Sequence, residues 1–322
     1  MKTSIISVTA LLAVGIGSAQ AADLRAKVYT KAPPIVAAFD PWDVAFGAAI
    51  ASDYVFRGVS QSNRQPSVSA YFEPRFNITK DLQLYAGVAG NSISFANRAS
   101  MEIDGYVGIR PTFGAATFDF GFWYYGYPGG ECIDTIQGGG NLCPIGSNAL
   151  FNGNVMKKDV SFYEAYAKVN YVFNDAFQMG AAANYSPNYL NSGADGTYAT
   201  INAKYTMPSN VWATSGIGSF ISGEFGRQWL GTSDAFYGNT KFADYNTWNV
   251  GIGFTYKVFT LDIRYFDTDL GKGNCNAFTS DFTAGGNTHV TPINGSGAGS
   301  SWCGATGVVK LSADLTAMTN LK

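Results

Sequence analysis

The stretch Thr247-Trp248-Asn249-Val250-Gly251-Ile252-Gly253-Phe254-Thr255-Tyr256-Lys257-Val258-Phe259-Thr260-Leu261-Asp262-Ile263-Arg264-Tyr265-Phe266 decides the fold. Trp248, Val250, Ile252, Phe254 and Tyr256 alternate with Asn249, Gly251, Gly253, Thr255 and Lys257. Beyond the short Lys257-Val258 link, Phe259, Leu261, Ile263 and Tyr265 alternate with Thr260, Asp262 and Arg264. A period of two is that of a strand, whose successive side chains point to opposite faces. Two such runs joined by a tight link predict a hairpin with one apolar and one polar face. Each run is about ten residues long, enough to cross a bilayer at a tilt.

The same alternation recurs outward from this hairpin. Val68, Ala70, Phe72 and Phe76 oppose Ser69, Tyr71, Glu73, Arg75 and Asn77; Met101, Ile103, Val107 and Ile109 oppose Glu102, Asp104, Tyr106 and Arg110. Twelve strands are predicted, at 43–57, 66–78, 81–94, 100–112, 115–127, 159–173, 176–189, 197–206, 217–230, 243–257, 258–268 and 305–316. Their links alternate between short and long. Thr79-Lys80-Asp81, Phe113-Gly114-Ala115, Asn174-Asp175 and Lys257-Val258 are short, whereas 58–65, 128–158, 190–196, 231–242 and 269–304 are long. The 95–99 link is short for its class and 207–216 is long for its own. Short turns at one end and long loops at the other are the habit of membrane barrels. An unpaired backbone group costs several kcal/mol in hydrocarbon, so a membrane sheet must close on itself. The expected fold is therefore an all-β, antiparallel transmembrane β-barrel spanning 42–322.

Composition agrees. Charged residues make up 14% and aromatics 15% of the 322 residues. Soluble domains carry about 25% charge. Few charges, 19 Tyr and 23 Phe suit a surface that meets lipid rather than water. The formal charge of −2 offers no basic patch for nucleic acid. Lys2, the apolar run Ile5 to Gly17 and the small-residue end Ser18-Ala19-Gln20-Ala21 read as a signal peptide over 1–21, with an uncleaved anchor as the rival. Residues 22–41 carry Pro33, Pro34 and Pro41 and read as a periplasmic lead-in. In an exported chain, Cys132, Cys143, Cys275 and Cys303 are disulfide candidates. Proximity favours 132 with 143 and 275 with 303. Metal binding is the rival, but there is no CxxC pair and His289 is the sole histidine.

The segment Ser52-Asp53-Tyr54-Val55-Phe56-Arg57-Gly58-Val59-Ser60-Gln61-Ser62, followed by Pro66-Ser67-Val68-Ser69-Ala70-Tyr71-Phe72, resembles the opening of the TorF family, Gram-negative outer-membrane proteins to which pore activity is ascribed. The resemblance is specific over about residues 45–75 and diffuse elsewhere. It departs from outer-membrane habit at the C-terminus, where the last strand ends on Leu315 and the chain runs on to Lys322. The resemblance implies a bacterial outer-membrane location.

These readings converge on a porin for passive diffusion of small hydrophilic solutes or ions. A non-conducting structural or surface-binding barrel is the alternative. A porin needs a wet lumen and charges that set its field. The pore-lining candidates are Asp53, Arg57, Glu73, Arg75, Glu102, Asp104, Arg110, Glu164, Lys168, Asp262 and Arg264, with Asp119, Glu224, Lys257 and Lys310 on the same registers. They either line a constriction or pair across strands to fill the lumen. Asp53 and Arg57, four apart, would share a strand face. In Phe118 to Tyr127 a lipid-facing strand with an aromatic girdle is expected, against a lumenal stacking platform at Trp123 and Tyr125. Loop 128–158 either narrows the pore or caps it, and its Gly138-Gly139-Gly140 lacks the context of a phosphate loop. An enzyme is not expected, because a lipase-like site would need a strand-borne histidine and His289 lies in loop sequence. The expected partners are outer-membrane lipid, lipopolysaccharide and small hydrophilic solutes. No cofactor or metal is expected, and self-association stays open.

Overall fold

A computed structural model describes residues 41–208, 211–212 and 216–321. Residues 1–21, expected to form a signal peptide, and nearly all of the expected lead-in lie outside the described residues. Twelve antiparallel strands close into one barrel: β1 (Trp42–Ala51), β2 (Ser67–Thr79), β3 (Leu82–Ser92), β4 (Met101–Phe113), β5 (Ala116–Gly126), β6 (Phe162–Val172), β7 (Phe177–Ser186), β8 (Gly196–Thr206), β9 (Gly218–Leu230), β10 (Tyr245–Tyr256), β11 (Phe259–Thr268) and β12 (Thr306–Thr316). Each strand pairs with its neighbours in sequence, and β12 returns to β1, with Phe46 opposite Leu315 and Ala48 opposite Ala313. Among the described residues the barrel sheet has no open edge. The chain beyond Leu315 turns into a short helix, α2 (Ala317–Asn320), anchored where Met318 N–H donates to Asp43.

Alternation decides which way each side chain points. Val68, Phe72, Val88, Val107, Phe122 and Val250 are each more than half exposed and girdle the outside. Trp42, Phe113, Tyr171, Phe173 and Tyr256 are exposed towards the short-turn end, where an aromatic girdle meets an interface. Glu73, Arg75, Glu102, Asp104, Arg110, Asp119 and Glu164 point inward and are buried. Phe120, Phe122 and Tyr124 face out, whereas Trp123 and Tyr125 face in. The aromatic run thus serves both faces.

An eight-stranded barrel is just filled by its own side chains, so twelve strands leave room. Tyrosines lying flat on the wall take some of it. At Gly87 a Cβ would sit 2.2 Å from the Tyr106 ring, so the glycine lets that ring lie down. Tyr106 in turn stacks on Trp123 with centroids 3.9 Å apart.

The long loops gather at one end. Disulfides join Cys132 to Cys143 and Cys275 to Cys303, each inside one loop. Loop 128–158 forms part of a cap rather than a constriction. Its Asp134 carboxylate accepts from the backbone of Asn141, Leu142 and Cys143, shaping the first disulfide lobe. Asn152 and Asn154 then reach Asn276 in α1 (Lys272–Thr279) of loop 269–304, and Lys157 ties to Asp234.

Val107 lies midway along β4 with its side chain outside. Val107→Arg should cost about 2–4 kcal/mol of barrel stability in lipid. Val290→Arg, in the exposed loop end, should cost next to nothing. Urea unfolding of both variants from lipid vesicles checks the contrast, and equal stabilities would count against a lipid-covered belt.

Candidate functional site

The lumen is crossed by the chain's own first loop. β1 ends at Ala51, six residues before its expected end, and Asp53 and Arg57 do not share a strand face. The Asp53 carboxylate accepts from the hydroxyls of Ser60 and Ser62 at 2.7 and 2.8 Å and pairs with Arg64 at 3.0 Å. These bonds fold 52–66 back on itself. Val55 pairs with Ser60 and Phe56 with Val59, which makes a miniature hairpin with Arg57 and Gly58 as its two-residue tip. Both tip residues have positive φ, 50° and 79°, as a type I′ turn requires. Glycine is needed at 58 on a second count, since a Cβ there would meet Thr268 at 2.3 Å. Arg57 adopts the same left-handed region, which is uncommon for any residue other than glycine.

The tip reaches the opposite wall. The Arg57 guanidinium grips Glu164 of β6 with both terminal nitrogens, at 2.8 and 2.6 Å, and donates to Gln228 of β9 at 3.1 Å. Its charge lies over the rings of Phe56 and Tyr198, 4.6 and 4.5 Å from their centroids. Arg57 and Glu164 side chains are 5% and 0% exposed, so this is a fully desolvated, bidentate pair. Removing one partner of such a pair typically costs about 3–5 kcal/mol. Along the way Tyr54 donates to Glu102 of β4 at 2.8 Å, and Phe56 meets Tyr125 edge-on. The hairpin therefore touches β4, β5, β6, β8 and β9, a plug seated by one ion pair at its tip.

Nearer the short-turn end, wall charges pair among themselves. Arg75 holds Glu73 at 2.7 Å, and Arg110 bridges Glu73 at 2.8 Å and Asp119 at 3.1 Å. The Arg110 guanidinium sits 3.6 Å over the Tyr85 ring, and Tyr85 bonds both Asp119 and Tyr166. On the other side Arg264 takes Asp262 at 2.9 Å, Asn249 at 2.6 Å and Ser222 at 2.7 Å. Lys168 lies opposite Asp119 with its ammonium 4.3 Å over the Tyr166 ring.

The candidate lining residues thus separate into groups. Glu73, Arg75 and Arg110 come together, with Asp119 as a fourth member. Asp262 and Arg264 form a second cluster. Glu102, Asp104 and Glu164 lie near the loop end and face the plug or its surroundings. The Asp104 carboxylate and the Trp123 indole N–H are both buried and interact with each other. Lys257 is not in the lumen: it forms the exposed turn between β10 and β11 with φ of 54°. Gln228 and Tyr198, which complete the Arg57 seat, are neutral and stand out in no charge pattern. Only the inward register of β8 and β9 points to them.

Among solved structures, three bacterial barrels illustrate the likeness. An outer-membrane channel from Pseudomonas putida F1 is 9% identical, with 89% of this chain and 99% of that one covered at a TM-score of 0.44. The toluene transporter TodX of Pseudomonas putida is 9% identical over 87% and 89% of the two chains, with a TM-score of 0.39. LpxR from Salmonella typhimurium is 9% identical over 84% and 99%, with a TM-score of 0.38. These similarities are of barrel architecture and carry nothing about activity. No curated protein sequence matches the chain. Residues 36–292 match the family described as bacterial protein of unknown function (Gcw_chp), and the chain belongs to that family.

Proposed function

We propose that this protein is an outer-membrane porin for small hydrophilic solutes, held shut by its own first loop. The observation that carries the reading is the Arg57–Glu164 pair. It fastens a short hairpin across a lumen whose wall is lined with charge. A barrel meant only as a solid post has no need of a detachable stopper, because wall side chains can fill it. Here the obstruction is joined to β1 and β2 at its two ends, tied to the 301–304 segment by Arg64 and Ser60, and reaches the far wall through a two-residue tip. With the plug withdrawn, the charged clusters around Arg110 and Arg264 become the lining that solutes meet, and their fields set selectivity. The long-loop end, with both disulfides, faces the outside, and the short turns face the periplasm. No catalytic step is assigned.

Conductance across planar bilayers tests this. Wild-type protein should show rare, brief steps, whereas Arg57→Ala and Glu164→Gln should each raise open probability at least tenfold. If both variants are as silent as wild type, the porin reading fails. The barrel would then be a non-conducting one whose external cap is the working surface.

The open variants permit a second measurement. In the Arg57→Ala background, Arg264→Glu should move the reversal potential in a salt gradient towards cation preference. An unmoved potential would remove Arg264 from the conducting path.

A further inference from the structure

Between the plug and the external cap lies a cavity with about 40 Å³ of room for water-molecule centres. Seven of its thirteen lining residues are aromatic. Phe56, Val59 and Gln61 of the plug form one wall, Tyr127 and Tyr245 continue it around the barrel mouth, and Phe278 and Trp302 close it from the cap. Phe278 stacks on Tyr189, another lining residue, with an interplanar angle of 5°.

Six of the polar side chains on this wall are engaged elsewhere: Tyr127 bonds Glu102, Tyr189 meets Arg57, and the other four are tied as follows. Ser60 donates to Asp53 at 2.7 Å, and the Gln61 amide donates to the Val59 carbonyl at 3.1 Å. The Thr279 hydroxyl donates to the Cys275 carbonyl at 2.7 Å, and the Trp302 indole donates to Asn63 at 2.9 Å. A water needs two to four polar partners to settle in a cavity. A charged or strongly hydrogen-bonding guest would lose its hydration and find little in return. The cavity suits a guest that asks for none, and rings on several sides offer edge and face contacts to another ring.

We propose that this vestibule is a binding site for a small, uncharged aromatic molecule, with the plug tip as its movable wall. A cavity that takes benzene measures about 150 Å³. The vestibule is smaller, so a ring enters only as one wall gives way. The barrel wall is fixed by its ladder, and the cap wall is tied by Cys275–Cys303 and by the Asn152–Asn276 contact. The plug tip has two ladder pairs, the Arg57 bonds to Glu164 and Gln228, and one backbone bond to the cap, from Ser60 N–H to the Trp302 carbonyl at 2.9 Å. Its Phe56 and Val59 are therefore the side chains that yield. The site stands on binding alone, whether or not the barrel conducts.

Benzene is the probe, with benzoate as its charged counterpart. The midpoint of heat unfolding, read from gel mobility of detergent-folded protein, is measured with and without each. Benzene should raise the wild-type midpoint by about 2–4 °C, and benzoate should leave it unchanged. Val59→Trp and Thr279→Phe, which fill the vestibule from opposite walls, should each abolish the benzene shift. Arg57→Ala, which frees the moving wall, should tighten benzene binding at least threefold in a titration of the shift. No shift in wild type overturns the site. A shift that survives in both filled variants also overturns it, because the benzene would then act through the micelle. A benzoate shift equal to that of benzene overturns the chemical class. If one filled variant fails to fold, the other decides.

Discussion

The rest of the structure depends on backbone hydrogen-bond closure. Hydrocarbon offers no partner to an N–H or C=O, so a sheet within it must leave no edge. The β1–β12 seam meets that demand. Once the ring is closed, alternation does the sorting. Every second side chain meets lipid and must be apolar, and every other one meets a confined interior where charge has to find charge. The buried Glu73–Arg110–Asp119 chain and the outer ring of valines and phenylalanines are two sides of one pleat.

Closing twelve strands also creates a volume problem. The wall alone does not fill the ring, and an empty polar lumen would be a permanent hole. Tyrosines laid over glycines narrow it on the wall, and the first loop fills much of what remains. The left-handed backbone at Arg57, awkward for its side chain, aims a guanidinium at the far wall. Strain of this kind persists where surrounding contacts over-determine it, and the two bonds to Glu164 with the bond to Gln228 do that.

The period-two pattern made the barrel legible from the sequence. Strand count, parity of the loops and the inward face of β2, β4, β10 and β11 followed from it, because lipid imposes a strict choice at each position. The partnership of each cysteine with its near neighbour was also favoured by sequence distance. The plug is hidden in the sequence because Val55 to Arg57 reads as the end of β1 and 58–65 as an ordinary loop. A two-residue Arg-Gly tip between Val-Phe and Val-Ser was the signal for a separate hairpin. The Arg57–Glu164 contact spans 107 positions and exists only because the barrel curves. Lys257 was misplaced for a related reason: it ends the alternating run of β10, but the chain has already turned there. Whether loop 128–158 capped or narrowed the lumen depended on its contacts with loop 269–304, which pattern cannot supply.

The route of the first loop orders the assembly of the molecule in time. The hairpin belongs to the N-terminal seam, yet its anchors lie on strands laid down much later, β6, β8 and β9. It can seat only after those strands have curled round to face β1. The docked arginine is therefore a mark of completed assembly: an unsealed, half-inserted chain has no far side for it to reach, and the lumen is crossed only at the moment the ring closes.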